Sequence, residues 1–179
     1  KKYGNNNKYQ LSCCINNPFF KPEQMQGMIA QTLEGKHFNN INIIPPLEKN
    51  SEVNELLNAI DIDLTGLSGG EGWNLPAFNA TCLGKWSIVL NATSHKDWAN
   101  EKNSILIEPS GEMPVIDGLF FNEQSPFNKG TFYTWTEDEA ISAMENAEEK
   151  VGQVNSEGQK LAEEMTYAKT VDAILKAIF

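Results

Sequence analysis

The stretch Ser68–Lys85, SGGEGWNLPAFNATCLGK, constrains the fold more than any other part of the chain. It follows an apolar run with alternating acids, AIDIDLTGL, and its first five residues include Gly69, Gly70 and Gly72. Glycines allow positive φ and leave room for a ligand near the backbone, while Pro76 suits the first turn of a helix, where its missing N–H would be unpaired anyway. The pattern predicts a strand, a glycine turn and a helix whose N-terminus is suited to binding an anion.

The composition is typical of a globular domain and argues against a nucleic-acid-binding surface. The 179 residues are 40% hydrophobic and 21% charged, which is enough for a core. The net charge is −10 and arginine is absent, whereas following a phosphate backbone requires clustered cations. No apolar run approaches the roughly 20 residues that span a bilayer, and no secretion leader is evident. We therefore expect no transmembrane segment and a cytoplasmic protein.

The cysteines do not predict a metal centre. Cys13, Cys14 and Cys82 are odd in number and lack the CxxC spacing of zinc sites. They are interpreted as small hydrophobic residues buried in the core. Neither a metal nor a bound cofactor is expected.

Residues 1–8 are polar and are interpreted as a lead-in or linker, and residues 9–179 as one domain. Short apolar runs predict strands at Tyr9–Ile15, Ile41–Ile44, Ile60–Leu64, Trp86–Leu90 and Ile105–Ile107. Helical patterns lie between them, at Pro22–Leu33, after Ser51 and after the glycine turn. Strands that alternate with helices require crossover connections, so the predicted class is α/β with a doubly wound, mainly parallel, Rossmann-like sheet. Ligands of such sheets bind outside the carboxyl ends of the strands, here at loops that include Gly66–Glu71 and Asn91–Asp97.

The alternation stops after Asp117. The aromatic-rich stretch 119–135 predicts either a long loop or an edge hairpin that covers part of the crevice. Two closing helices are expected, because Thr136 with Glu139 and Ser156 with Gln159 both match the capping-box pattern. The last helix is expected to carry one apolar stripe from Leu161 to Ile178.

The segment that begins at Glu71, EGWNLPAFNATCLGKWSIV, resembles the donor-site signature of the group 1 glycosyltransferases of GT-B fold, EGFGLPxxEAMAxGxPV. The spacing is kept throughout. Two differences bear on donor binding: Asn74 stands where the family usually has Gly, and Asn79 stands where it has a second Glu. An amide at position 79 still hydrogen-bonds a hydroxyl.

This resemblance implies the carboxyl-terminal, donor-binding half of an enzyme that moves a hexose from a nucleotide sugar to an acceptor. The acceptor is unknown, its site would lie on an amino-terminal GT-B half, and the chain by itself is expected to be inactive. Donor contacts are expected from the turn and the next helix, at Gly70, Glu71, Gly72, Asn74, Leu75 and Asn79. In the family the first acid contacts the donor sugar and the second the ribose, roles that would fall to Glu71 and Asn79. The alternative for Glu71 is a surface acid that only stabilises the helix dipole.

Three basic side chains near predicted strand ends are candidates for the diphosphate. Lys21 follows the first strand, roughly where the family has the Lys of a KG motif, although Pro22 replaces the Gly. His95 and Lys96 follow the fourth strand, and His can polarise a phosphate or act as an acid or base. The alternative for all three is an ordinary surface residue.

Two other functions stay open at this point. A binding module derived from such an enzyme would keep affinity for nucleotide sugars without turnover. A Rossmann-like domain used for protein interaction would bind no nucleotide at all.

Overall fold

The computed structural model describes residues 2–15, 17, 19–117 and 120–179. The chain divides into two compact units, Lys1–Asn54 and Glu55–Phe179. The strands are β1 Leu11–Cys14, β2 Ile41–Ile44, β3 Ile62–Gly66, β4 Trp86–Leu90, β5 Ile105–Ile107, β6 Gly111–Pro114 and β7 Thr131–Thr134. The α-helices are α1 Pro22–Thr32, α2 Asn50–Ala59, α3 Leu75–Cys82, α4 Glu137–Glu148, α5 Ser156–Glu164 and α6 Tyr167–Ile178. A 3-10 helix, Thr93–Asp97, follows β4.

The first unit is built on a parallel pair of strands. β1 pairs with β2 in register from Leu11 opposite Ile41 to Cys14 opposite Ile44. Parallel strands need a crossover, and α1 lies between the two in sequence. The prediction that all three cysteines are buried is wrong: Cys14 is exposed, and Cys13 is only half-buried, because a two-stranded sheet leaves much of its surface uncovered.

The second unit contains a three-stranded parallel sheet in the order β3-β4-β5. β4 is its central strand, and its side chains alternate between two apolar clusters. Ile88 and Leu90 pack with alanines of α4, whereas Val89 packs with Ala77 of α3 and Leu161 of α5. Helices therefore cover both faces of this sheet, as expected where a parallel strand is a continuous apolar run.

The α/β class and the mainly parallel pairing are confirmed. Among the described residues the parallel strands form two separate sheets, β1-β2 and β3-β4-β5, rather than one continuous sheet. The doubly wound order and the GT-B architecture stay predictions. No helix in the described part of the chain is both long and apolar enough to cross a bilayer.

The aromatic-rich stretch is bordered by an antiparallel hairpin. β6 pairs with β7 from Gly111 opposite Thr134 to Pro114 opposite Thr131. Within the described part of the predicted stretch only β7 is a strand, and the described residues between β6 and β7 form a long loop. The hairpin is a sheet of its own and not an edge of the β3-β4-β5 sheet. Residue 119 itself lies outside the described residues.

The C-terminal region has three helices where two were predicted. The capping box of Thr136 and Glu139 is present at the start of α4. For α5, however, Asn155 is the cap instead of Ser156, and its side chain accepts the Gly158 N–H at 2.8 Å. The predicted last helix is interrupted because Thr166 is extended and its hydroxyl caps a new helix, α6.

Candidate functional site

A cleft of about 510 Å³ opens in the second unit at the carboxyl end of β3. It is lined by Thr65 of β3, by Glu71, Trp73 and Asn74 of the glycine turn, and by Leu75 and Pro76 of α3. Three predicted donor-binding residues, Glu71, Asn74 and Leu75, are therefore brought together. The cleft lies where ligands of parallel sheets bind, outside the end of a strand and at the start of the helix that follows it.

Asn74 shapes the first turn of α3. Its backbone is left-handed, with φ 61° and ψ 67°, and its buried side chain accepts the Ala77 N–H at 3.3 Å as the helix cap. The amide nitrogen donates to the Thr65 carbonyl oxygen at 2.8 Å. Asparagine is among the few residues besides glycine that adopt this conformation readily. The side chain at position 74 thus points into the protein, and asparagine suits the left-handed backbone of this turn.

Glu71 lies beside a second left-handed residue. Its carboxylate side chain is half-buried at the cleft, and its backbone N–H donates to the Thr93 hydroxyl at 3.4 Å. Thr93 has φ 51°, which is unfavourable for a β-branched residue. Backbone strain of this kind costs on the order of 1–3 kcal/mol and is concentrated at functional sites. Glu71 therefore lies near two left-handed residues, Asn74 and Thr93, of which Thr93 is the strained one.

His95 is fully buried, so the alternative that it is an ordinary surface residue is wrong. Its Nδ1 lies 2.8 Å from the Leu90 carbonyl oxygen, its Nε2 lies 3.0 Å from the Asn74 amide nitrogen, and its ring meets Trp98 edge-on. Burial lowers the pKa of His95, against the opposing effects of the Leu90 hydrogen bond and the Glu71 charge. A neutral imidazole at neutral pH follows.

The glycines of the turn make room for the protein's own hairpin. A Cβ at Gly69 would stand 1.9 Å from the Tyr133 carbonyl oxygen, and one at Gly70 would stand 2.3 Å from the Phe132 ring. A Cβ at Gly72, by contrast, would meet nothing within 4 Å. None of the three is among the positive-φ glycines of the described residues. Of the three, only Gly72 is open to a ligand.

The remaining predicted residues lie outside the set that lines the cleft. Asn79 is exposed on α3, and Lys96 is exposed on the 3-10 helix. Lys21 belongs to the first unit, where it precedes α1 and its backbone N–H donates to the Gln24 side chain at 2.8 Å. Their roles in donor binding stay predictions.

Sequence reasoning missed Thr65, Trp73 and Thr93 as parts of the site. Thr65 had a usable signal, since it is the last side chain of the strand before the glycine turn. Trp73 packs edge-on against Phe78 and also lines the cleft. The left-handed backbone of Thr93 has no signal in the sequence, because threonine rarely adopts it.

The cleft offers polar contacts to a ligand. The described residues contain no group of three or more His, Cys, Asp or Glu side chains placed to hold a metal ion. Among the first three residues of α3, Pro76 has no N–H and the Ala77 N–H is bonded to Asn74, which leaves at most the Leu75 N–H for a ligand. The site thus offers a carboxylate and the N-terminus of a helix. No protein-family model matches the chain, and no curated protein matches it at a significant level.

Proposed function

We propose that the second unit binds the nucleotide-sugar donor of a glycosyltransferase that transfers a hexose to an acceptor. The observation that carries this proposal is the position of Glu71. It lines a cleft of about 510 Å³ between the carboxyl end of β3 and the first residues of α3. A cavity of this size accommodates a small ligand. A carboxylate is a strong acceptor for sugar hydroxyls.

The two ends of a nucleotide sugar need different partners. Sugar hydroxyls donate to Glu71, while the diphosphate is stabilised by the positive end of the α3 dipole and by the Leu75 N–H. The ring of Trp73 offers an apolar face to the sugar or the base. With at most one free N–H among the first three residues of α3 and a net charge of −10, the diphosphate is held weakly, and we expect affinities well short of nanomolar.

Calorimetric titration with UDP-glucose, GDP-mannose and the free nucleotides tests this proposal. Glu71→Ala should weaken binding of the nucleotide sugar by about 1.5 to 3 kcal/mol, the value of a hydrogen bond to a charged group, and leave the free nucleotide almost unaffected. Glu137→Ala is the control, since it removes an exposed acid from the first turn of α4, outside the residues that line the cleft. An equal loss of affinity for the sugar nucleotide and the free nucleotide would show that Glu71 does not contact the sugar. Absence of any binding by the wild-type chain would refute the function.

A binding module without transfer activity is the second candidate. It is favoured by Asn79, which replaces the family's second acid and is exposed outside the cleft lining. Because the chain by itself is expected to be inactive, donor hydrolysis and transfer are measured together with an amino-terminal acceptor half, alongside binding. A module binds the sugar nucleotide and turns over none of it even then.

A further inference from the structure

Asn74 and His95 form a buried polar pair next to the cleft. We propose that His95 is a positioning residue, which accepts a hydrogen bond from the Asn74 amide and so holds the first turn of α3 in the conformation that lines the cleft. What the cleft binds rests on the proposed function; the link between the two side chains does not. His95 would then affect a ligand through Asn74 rather than by touching it.

The orientation of the Asn74 amide is fixed by two backbone groups. The Ala77 N–H donates to its oxygen at 3.3 Å, and its nitrogen donates to the Thr65 carbonyl oxygen at 2.8 Å. In the reverse orientation the amide nitrogen would face the Ala77 N–H, donor against donor, and the amide oxygen would face the Thr65 carbonyl oxygen, acceptor against acceptor. The Asn74 nitrogen, with a second hydrogen still to place, therefore faces His95 Nε2 at 3.0 Å as a donor.

The tautomer of His95 follows from these constraints. Nε2 must accept from Asn74, and Nδ1 faces the Leu90 carbonyl oxygen at 2.8 Å, which only accepts. His95 is thus neutral with its proton on Nδ1. Its ring is held by Trp98 at a centroid distance of 6.0 Å and is fully buried, so neither nitrogen has water as a substitute partner.

The backbone conformation of Asn74 explains why the first turn of α3 needs this support. Asn74 has φ 61°, a conformation that asparagine tolerates better than other side-chain-bearing residues but that still depends on support from its surroundings. The Asn74 side chain gives this support through three hydrogen bonds: it accepts one from Ala77 and donates one each to Thr65 and His95. The histidine bond is the one of these that a substitution at another side chain can remove.

Two variants of His95 separate the proposed role from simple packing. In His95→Gln the amide oxygen reaches the position of Nε2 and still accepts from Asn74, but the donor to Leu90 is lost. In His95→Asn the amide nitrogen stands near Nδ1 and still donates to Leu90, but the acceptor for Asn74 is lost. Both remove the ring from Trp98, and each loses one hydrogen bond of His95. Because Asn is one methylene smaller than Gln and leaves the larger cavity, the variants are compared by ligand binding and by exchange of the Ala77 amide rather than by global stability.

With UDP-glucose and GDP-mannose as probes in calorimetry of the full chain, we expect the Gln variant to bind within about threefold of wild type. The Asn variant should bind at least about tenfold more weakly, the effect of one buried hydrogen bond. Equal weakening by both variants, or wild-type affinity in the Asn variant, would overturn the proposal.

Amide hydrogen exchange and histidine ¹⁵N shifts on the same proteins test the inference even if no nucleotide sugar binds. The ring nitrogens of wild type at neutral pH should show the proton on Nδ1, and the Ala77 amide should exchange about tenfold faster in the Asn variant than in the Gln variant. A proton on Nε2, or equal exchange at Ala77, contradicts the positioning role. Failure of all probes to bind, with these two results intact, would refute the proposed function alone.

Discussion

Replacing Asn74 tests how the candidate site is held together. The residue combines a left-handed backbone, the cap of α3 and bonds to Thr65 and His95. Ala removes all three side-chain hydrogen bonds and also suits the backbone poorly. Gly removes the same bonds but adopts a left-handed conformation freely. The pair therefore separates backbone strain from hydrogen bonding.

The expected magnitudes follow from the contacts. Loss of the bonds to Thr65 and His95 costs about 1 kcal/mol each in both variants. Loss of the cap costs about 1 kcal/mol more in Ala but only a few tenths in Gly. A left-handed Ala adds about 1 kcal/mol relative to Gly. We therefore expect Asn74→Ala to lower the free energy of unfolding by about 4 kcal/mol and Asn74→Gly by about 2 kcal/mol.

Urea denaturation followed by tryptophan fluorescence measures these values. All four tryptophans, Trp73, Trp86, Trp98 and Trp135, lie in the second unit, so the signal reports on the unit that contains the cleft. If Gly proved as destabilising as Ala, the left-handed backbone would not be the constraint. If both variants stayed within about 0.5 kcal/mol of wild type, the buried bonds of Asn74 would contribute nothing to stability.

Gly69→Ala should destabilise the second unit strongly, because its Cβ would stand 1.9 Å from the Tyr133 carbonyl oxygen, whereas Gly72→Ala should be tolerated, with nothing within 4 Å. Thermal melts of both variants check this, and similar melting temperatures would show that the hairpin does not pack on the turn. Burial raises the pKa of Asp63 above its ordinary 3.8, outweighing its hydrogen bonds to Thr65, so the folded chain keeps a proton that the unfolded chain releases and stability falls as pH rises from near 3.8 through the raised pKa. In urea titrations between about pH 4 and about pH 7, Asp63→Asn should therefore gain stability relative to wild type as pH rises; a difference independent of pH would contradict this account.

The bounds of the strands show how much of the fold the local sequence pattern predicts. β2, β4 and β5 have the predicted bounds, because each is a compact apolar run flanked by polar or turn residues. β3 begins and ends two residues later than predicted and includes Gly66. A Cβ there would stand 2.4 Å from the Ile88 carbonyl oxygen. Gly66 is thus needed because the neighbouring strand comes close to its backbone. A sequence pattern cannot distinguish such a glycine from one that forms a turn.

The sequence alone determined the α/β class, the strand-turn-helix unit and the place of Glu71 in the turn before that helix, because hydrophobic period and turn residues act over a few neighbours. Only the tertiary structure decided which partners fill the space around that unit. In the folded chain the β6-β7 hairpin packs against Gly69 and Gly70, and His95 is buried against Asn74. Such contacts join residues more than twenty positions apart, and they depend on packing that no local pattern encodes.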